Sequence, residues 1–275
     1  MPYPRAPYYM LAVIGFLILG FWQSYFAIAT TVPWQFHAHG MAASLWVLTV
    51  TLQSWTAHRK TQLPLHRAVG QASLFLFPFL TAGLAAIIDR QGKDFLAGDP
   101  VNLLDGRGFM LGTVVALAAY VTVYYRALKY RRKVWVHAGY MLSTPLILFE
   151  SPFSRVLGLH VPGFVVDGPA QFARIMPSIE WSMAIELAVI AVVWWRVRER
   201  ANPFLVTGGF ITVEMLAMGI ANHIDALKQV DLFIGNLPSA PIVVAGFAIG
   251  VATSWLGWNA GKPKQAVRPV VAAAA

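Results

Sequence analysis

The sequence predicts an all-α, polytopic membrane bundle of about eight transmembrane helices, with both termini inside and one integral membrane domain over residues 1–275. Three observations predict it. The chain is 57% hydrophobic and only 12% charged, about half the charged fraction of a soluble domain, and its mean hydropathy is +0.59. Several windows of about 20 residues hold no charge, enough to cross the hydrocarbon core as a helix. The basic residues gather in alternate short connections, which is how a polytopic chain is oriented.

In chain order, spans are expected near 8–31, 37–57, 67–89, 108–126, 134–155, 178–196, 204–224 and 240–258. The first run, Tyr8 to Thr31, is too long for a signal-peptide core and is expected to be retained. With the N-terminus inside, the inner segments carry 15 of the 21 basic residues: Arg5, Arg59, Lys60, Arg67, Arg126, Lys129, Arg131, Arg132, Lys133, Arg196, Arg198, Arg200, Lys262, Lys264 and Arg268. Glu199 is the only one of the 12 acids there. Trp34 and Trp181 fall at the expected outer interface, and Trp55, Trp135, Trp194, Trp195 and Trp258 at the inner one, as an aromatic belt requires. Asp89–Arg107 and Arg155–Pro177 read as long outer connections rich in Gly, Pro and Asp.

Composition also excludes. There is no cysteine, hence no disulfide, thiolate ligand or cysteine nucleophile. The net charge of +9 is dispersed over short loops, with no basic tail and no aromatic platform for bases, so no nucleic-acid partner is expected. The expected location is the inner (plasma) membrane of a bacterium, with membrane lipid as the constant partner.

The seven histidines lie toward the ends of apolar runs. His39 and His58 bracket an apolar stretch of about 19 residues, which as a helix rises about 28 Å, close to a bilayer core. Imidazole suits metal or haem ligation and proton movement near neutral pH. At the inner face, Leu65 begins the run LHRAVGQ, in which His66 and Gly70 share a helix face. The fifth span opens VWVHAGYM, so His137 lies at similar depth and is expected to face His66 across a haem or metal. At the outer face, His37-Ala-His39-Gly40 opens the second span and His223 ends the seventh. The histidines expected to hold a cofactor are His39, His66, His137 and His223, with His37, His39 and His223 as an outer metal set. Residues two apart diverge on a helix, so the His37–His39 pair chelates one ion only if the helix starts after it. The plain alternative is histidines bonded to water, headgroups or backbone carbonyls. His58 and His160 are expected to be solvated, and Gln53 and Gln71 to tie helices together.

Glu150, Glu186 and Glu214 fall inside expected spans, with Glu180 and Asp89 near outer ends. Carboxylates in a membrane face a bundle interior and serve proton, ion or substrate paths; with histidine they also bind transition metals. The three glutamates and Arg155 in one half predict a polar outer cavity in which the glutamates move protons or ligate metal.

The segment HAHGMAASLWVLTVTLQSWTAHRKTQLPLHRAVG, followed by VHAGYMLSTPLILFESPFSRVL, resembles a widespread group of bacterial multi-pass membrane proteins with a HxHG…W…Q…HRxxG…HxxxM pattern and no established activity. The matching positions are His39, Gly40, Trp46, Gln53, His66, Arg67, Gly70, His137, Met141 and Arg155, over roughly residues 34–156. A looser likeness is to transmembrane b-type cytochromes, which pair histidines of neighbouring helices at each face. That likeness implies haem b. Those cytochromes have fewer helices and deeper ligands, and the fourth span here carries no histidine.

Together these features lead to the expectation of a membrane-embedded redox protein with a histidine-ligated cofactor, haem b or a non-haem transition metal, exchanging electrons with a quinone-like lipid-soluble substrate. Two other classes stand beside it: a proton-coupled small-solute transporter or ligand-binding membrane protein, and an accessory or assembly subunit with a membrane-complex partner.

Overall fold

The computed structural model describes residues 2–263. Lys264 and Arg268, two of the basic residues counted above, lie outside the described residues. The described chain folds as α1 (Ala6–Phe21), α2 (Trp34–Thr56), α3 (Leu63–Leu96), α4 (Pro100–Lys129), α5 (Val134–Ser143), α6 (Glu150–His160), α7 (Ile175–Val197), α8 (Asn202–Ala221), α9 (Leu227–Asn236) and α10 (Ser239–Ala260), with no strand among the described residues. Four helical stretches are long and apolar enough to cross a membrane: Lys60–Leu96, Pro100–Lys129, Pro169–Ala221 (which joins α7 and α8) and Ser239–Ala260. The chain is an integral membrane protein by that criterion.

Every expected span overlaps a helix, and the differences have physical causes. α3 runs past the expected stop at Asp89 because its charges satisfy one another at i,i+4 spacing: Lys93 pairs with Asp89, and Arg90 with Asp94, which supports rather than breaks a helix. α4 begins eight residues early. Asp99 caps it, accepting from the N–H groups of Val101 (3.1 Å) and Asn102 (2.9 Å), and Pro100 takes the first-turn position where its missing N–H costs nothing. The expected long connection Asp89–Arg107 is therefore mostly helix, with Ala97–Asp99 as the turn. The first expected span, 8–31, is helical only to Phe21 and then winds through a 3-10 turn at Phe26–Ile28 before α2. The expected loop after α8 contains α9, which lies across α3 through a backbone approach of Gly235 to Gly92 that a side chain at either would block.

The fifth expected span is broken. α5 ends at Ser143, a 3-10 turn covers Thr144–Leu146, and α6 starts at Glu150. Pro145 has no N–H to donate and clashes with the preceding turn, so the chain cannot continue straight. A break of this kind inside a membrane bundle frees backbone groups and is tolerated only where protein or a polar cavity receives them.

Two apolar clusters hold the bundle. One centres on Trp46, Phe77 and Tyr124, all fully buried; the Phe77 and Tyr124 rings stack at 4.2 Å, and Trp46 meets Tyr124 edge-on at 5.1 Å. Trp46 donates its indole N–H to Thr144 Oγ1 at 2.9 Å, fastening the helix break to α2. The second, Met183, Ile190, Ile211 and Met218, fills the α7–α8 seam.

The alternate turns gather at opposite ends. His58 Nε2 lies 3.1 Å from Pro2 O, Tyr3 donates to Arg200 O at 2.9 Å, Arg131 donates to Trp258 O at 2.8 Å, and the Arg200 guanidinium sits 4.6 Å over the Trp135 ring. This is the basic end. At the other end Gln35 donates to Asp89 (3.1 Å), Lys93 to Leu237 O (3.2 Å) and Asn222 to Asp105 (3.2 Å). This is the acidic end.

Candidate functional site: a buried carboxyl cluster beside the helix break

Glu186 sits three residues after Met183 and four before Ile190, so it shares their inward face on α7. Glu214 stands in the same relation to Ile211 and Met218 on α8. The register that packs the α7–α8 seam thus drives both carboxyls into it, and they are 1% and 2% exposed. Glu150 is the first residue of α6 and is also buried. Its carboxyl lies by the backbone N–H groups of Glu150 and Ser151 in the opening turn of the helix, the positive end of the helix dipole.

The three carboxyls belong to three helices and converge. Glu186 is within electrostatic reach of Glu150 and Glu214, Glu214 of Glu150, and the buried Tyr120 hydroxyl on α4 of all three. Both oxygens of Glu186 and one each of Glu150 and Glu214 are buried without a hydrogen-bond partner. Buried polar atoms are almost always partnered. Four orphaned carboxyl oxygens in one place mark a site arranged for something other than stability.

Ser178, Ser182 and Glu186 form an i, i+4, i+8 stripe on α7, and Thr207 on α8 donates to Ser143 Oγ on α5 at 2.8 Å. Arg155 on α6 is within electrostatic reach of Glu150 and of His39. It donates to Ser151 O (2.7 Å) and Ser151 Oγ (3.0 Å), with its guanidinium 4.7 Å over the Phe21 ring. Tyr120 escaped the sequence reading because tyrosine in an apolar run reads as filler, and no spacing singles it out. Ser182 and Thr207 were legible only once Glu186 and Glu214 fixed which faces point inward.

The outer histidines do not form the expected metal set. α2 starts at Trp34, before His37, so the two histidines diverge on a helix as their spacing dictates. His37 shares a hydrogen bond through Nδ1 with the Tyr25 hydroxyl at 2.9 Å. His39 has its Nδ1 buried without a partner, beside the α2–α3 crossing. Gly83 makes that crossing close: a Cβ there would stand 2.8 Å from His39 Cα. His223, beyond the end of α8, is exposed and borders a separate groove. Among the described residues no group of three or more His, Asp or Glu side chains is placed to hold a metal ion. The set His37, His39 and His223 is therefore corrected to three separate environments.

His66 and His137 are each held by the carbonyl of another helix. His66 Nδ1 lies 3.2 Å from Gln53 O and His137 Nδ1 2.9 Å from Ala127 O. A carbonyl on Nδ1 leaves Nε2 of each ring for another partner. Gly70, however, faces the Gln53 side chain, 3.6 Å from where its Cβ would be, and so serves helix approach. Gln53 ties α2 to α3 by donating to His66 O at 2.8 Å, as expected. Gln71 is exposed and makes no side-chain hydrogen bond among the described residues. His58 is engaged at both ring nitrogens, with Ser54 O at 2.8 Å on the other side from Pro2, rather than solvated.

Compared with protein-family models, curated proteins and solved structures, the chain matches none, so its function has to be argued from the chemistry of this cluster.

Proposed function

We propose that this chain is a proton-handling membrane protein, of the proton-coupled small-solute transporter class, with Glu150, Glu186 and Glu214 as its proton carriers. The observation that carries this reading is the convergence of three buried, under-partnered carboxyls on three helices beside a broken one. Ionised carboxylates at this depth cost several kcal/mol each unless neutralised. Arg155 can offset one of the three, which leaves the other two to be balanced by protons that come and go. Tyr120, Ser182 and Thr207 supply hydroxyls along which a proton can be handed on. Discontinuous helices with a free N-terminus at mid-bundle are the usual way a transporter frames such a site.

In this reading the chain crosses eight times, α5 and α6 together forming one interrupted crossing, in the inner membrane of a bacterium. The basic end is cytoplasmic, which places both termini inside. Arg132→Cys and Asp167→Cys, in this cysteine-free chain, should then label from opposite sides; labelling of both from the periplasm would refute the arrangement.

The test of proton handling is infrared spectroscopy of the protein in nanodiscs at neutral pH. A protonated-carboxyl band is expected that shrinks in Glu186→Gln and again in Glu150→Gln or Glu214→Gln. Proteoliposomes of the wild type should couple an imposed pH gradient to solute uptake, and Glu214→Gln should not. A spectrum without that band, unchanged by all three substitutions, ends the proposal.

A second reading keeps the redox expectation, because His66 and His137 both turn Nδ1 to a carbonyl and leave Nε2 for a ligand. Haem b or a non-haem transition metal held there would supply one-electron chemistry toward a quinone-like substrate. Purified protein should then show a visible absorption that changes on reduction with dithionite and is lost in His66→Ala or His137→Ala. Protein without such absorption and without bound metal removes this reading and leaves the first untouched.

A further inference from the structure

At the acidic end, α4, α7 and α8 enclose a groove of ≈ 500 Å³ that the carboxyl cluster does not use. We propose that this groove is a binding site for a small organic cation, a primary ammonium group on a compact apolar body.

The argument starts with Asp105. It lies near the start of α4 and is 7% exposed, with Oδ2 buried and unpartnered. Its other oxygen, Oδ1, accepts from Asn222 Nδ2 at 3.2 Å, and Asn222 in turn accepts the Gly108 N–H at 3.0 Å. Asn222 therefore fixes the carboxylate and leaves one oxygen for a ligand. Gly108 makes the arrangement possible, since a Cβ there would stand 3.0 Å from Met218 O and 3.2 Å from Asn222 Nδ2.

Glu180 on α7 borders the same groove and lies within electrostatic reach of Asp105. It makes no ion pair among the described residues. Two like charges held together without a counter-ion are unfavourable, so the pair favours a cation. Arg107 also borders the groove, but its guanidinium is directed to Asp225, 3.5 Å away.

The ligand's chemistry follows from the lining. A bare metal ion is disfavoured because no three His, Asp or Glu side chains among the described residues are placed to ligate one. An ammonium has three donors and no acceptor, which matches Asp105 Oδ2 and the Glu180 carboxylate. Leu104 and Met176 line the remainder and would cover an apolar body. The volume lies within the range of about 300–1,000 Å³ usual for small-molecule sites. The same chemistry exists free in solution and on the ethanolamine headgroup of a lipid.

The probe is n-butylammonium, with n-butanol as its neutral counterpart, titrated calorimetrically into the full chain in phosphatidylcholine nanodiscs. Saturable binding of butylammonium is expected, and none of butanol. Asp105→Asn and Glu180→Gln should each weaken binding about tenfold or more, the loss of a charge-assisted hydrogen bond. Asp167→Asn, an exposed carboxylate in the connection before α7 that does not line the groove, should leave it within about twofold, below what such a bond is worth. Nanodiscs with phosphatidylethanolamine separate the sources. Weaker apparent butylammonium affinity there assigns the site to the lipid headgroup, and unchanged affinity to a free amine. If Asp105→Asn does not fold, Glu180→Gln and the wild-type comparison of amine with alcohol still decide. Equal binding of butanol, no saturable binding at all, or Glu180→Gln binding like wild type overturns the proposal. None of these outcomes depends on whether Glu150, Glu186 and Glu214 carry protons.

Discussion

Trp46 and Glu186 are both fully buried, large and polar-tipped, and they serve opposite ends. Trp46 gives its N–H to Thr144 and packs against Phe77 and Tyr124. Tyr124 in turn shares a hydrogen bond with Ser73 at 3.0 Å. Every polar atom in that chain has a partner, and each partner joins two helices. Glu186 has neither oxygen partnered, and its nearest charged neighbours are of its own sign. In the first region burial is used to fix the bundle. In the second it is used to hold groups out of balance, which only an exchangeable proton or ligand can restore.

The comparison breaks most visibly at Trp46. Trp46→Ala removes the largest side chain of the first cluster and the indole N–H that ties α2 to Thr144. It should destabilise the protein by about 3–5 kcal/mol, read as loss of the folded fraction in denaturant titration in detergent. A loss below about 1 kcal/mol, within the range of an ordinary surface change, would mean that the aromatic cluster is not the fastening it looks like. Glu186→Leu should do the reverse. Replacing an unpartnered buried carboxyl by an apolar residue of similar size removes a desolvation penalty of about 1–3 kcal/mol, so the variant should resist denaturant at least as well as wild type while losing pH-gradient coupling. If it is strongly destabilised, Glu186 is a structural residue and the contrast fails.

Thr144→Val sharpens the contrast within one hydrogen bond. The volume is kept; the acceptor of the Trp46 N–H is lost, together with the hydroxyl's donation to Met141 O (2.8 Å) within the same turn. A buried donor left unpaired costs about 1–3 kcal/mol, so Thr144→Val should fall between wild type and Trp46→Ala. Trp46→Phe combined with Thr144→Val, which removes both partners, should recover part of the loss.

These two regions were not equally legible. The bundle was readable because apolar windows and alternating basic turns are one-dimensional signals, and each expected span overlaps a helix. The helix ends were not. Lys93–Asp89 and Arg90–Asp94 look like a loop in composition but act as helix-supporting pairs once i,i+4 geometry is considered. The break at Pro145 carries no such signal, because Thr144, Pro145 and Leu146 sit in an otherwise apolar run. Glu150, Glu186 and Glu214 stood out because charge in a span is expensive, and their convergence followed from the bundle. The histidines misled because imidazole is equally suited to ligands and to carbonyls. His37 chose Tyr25, His58 chose Ser54 O and Pro2 O, and nothing in the spacing distinguished those partners from a metal. Asp105 and Glu180 could not be linked from sequence, since they meet only through the α4–α7–α8 packing.

The smallest effect concerns Asp231 on α9, outside the spanning helices. It is 2% exposed, and its Oδ2 has no partner. It borders a cavity of ≈ 120 Å³ with Ile88, Leu111 and Arg107. Burial pushes its carboxyl up from the ordinary 3.8 to about 6, with the Arg107 charge acting against that rise. An acid with a raised folded pKa holds its proton more tightly folded than unfolded. The fold therefore loses stability as pH rises from 3.8 to about 6, and the whole cost of burying the charge is present above that window. Asp231→Asn cannot ionise. In thermal unfolding it should melt above wild type at pH 7.5 and together with it at the acid end of the window, where both carry a neutral side chain. Asp231 thus belongs with Glu186 as an unbalanced buried carboxyl, although it lies in a peripheral helix with one neighbouring cation. If Asp231→Asn instead melts lower at pH 7.5, the carboxylate is held by Arg107 in a net favourable pair, and α9 is fastened by charge in the way that Trp46 fastens the bundle by packing.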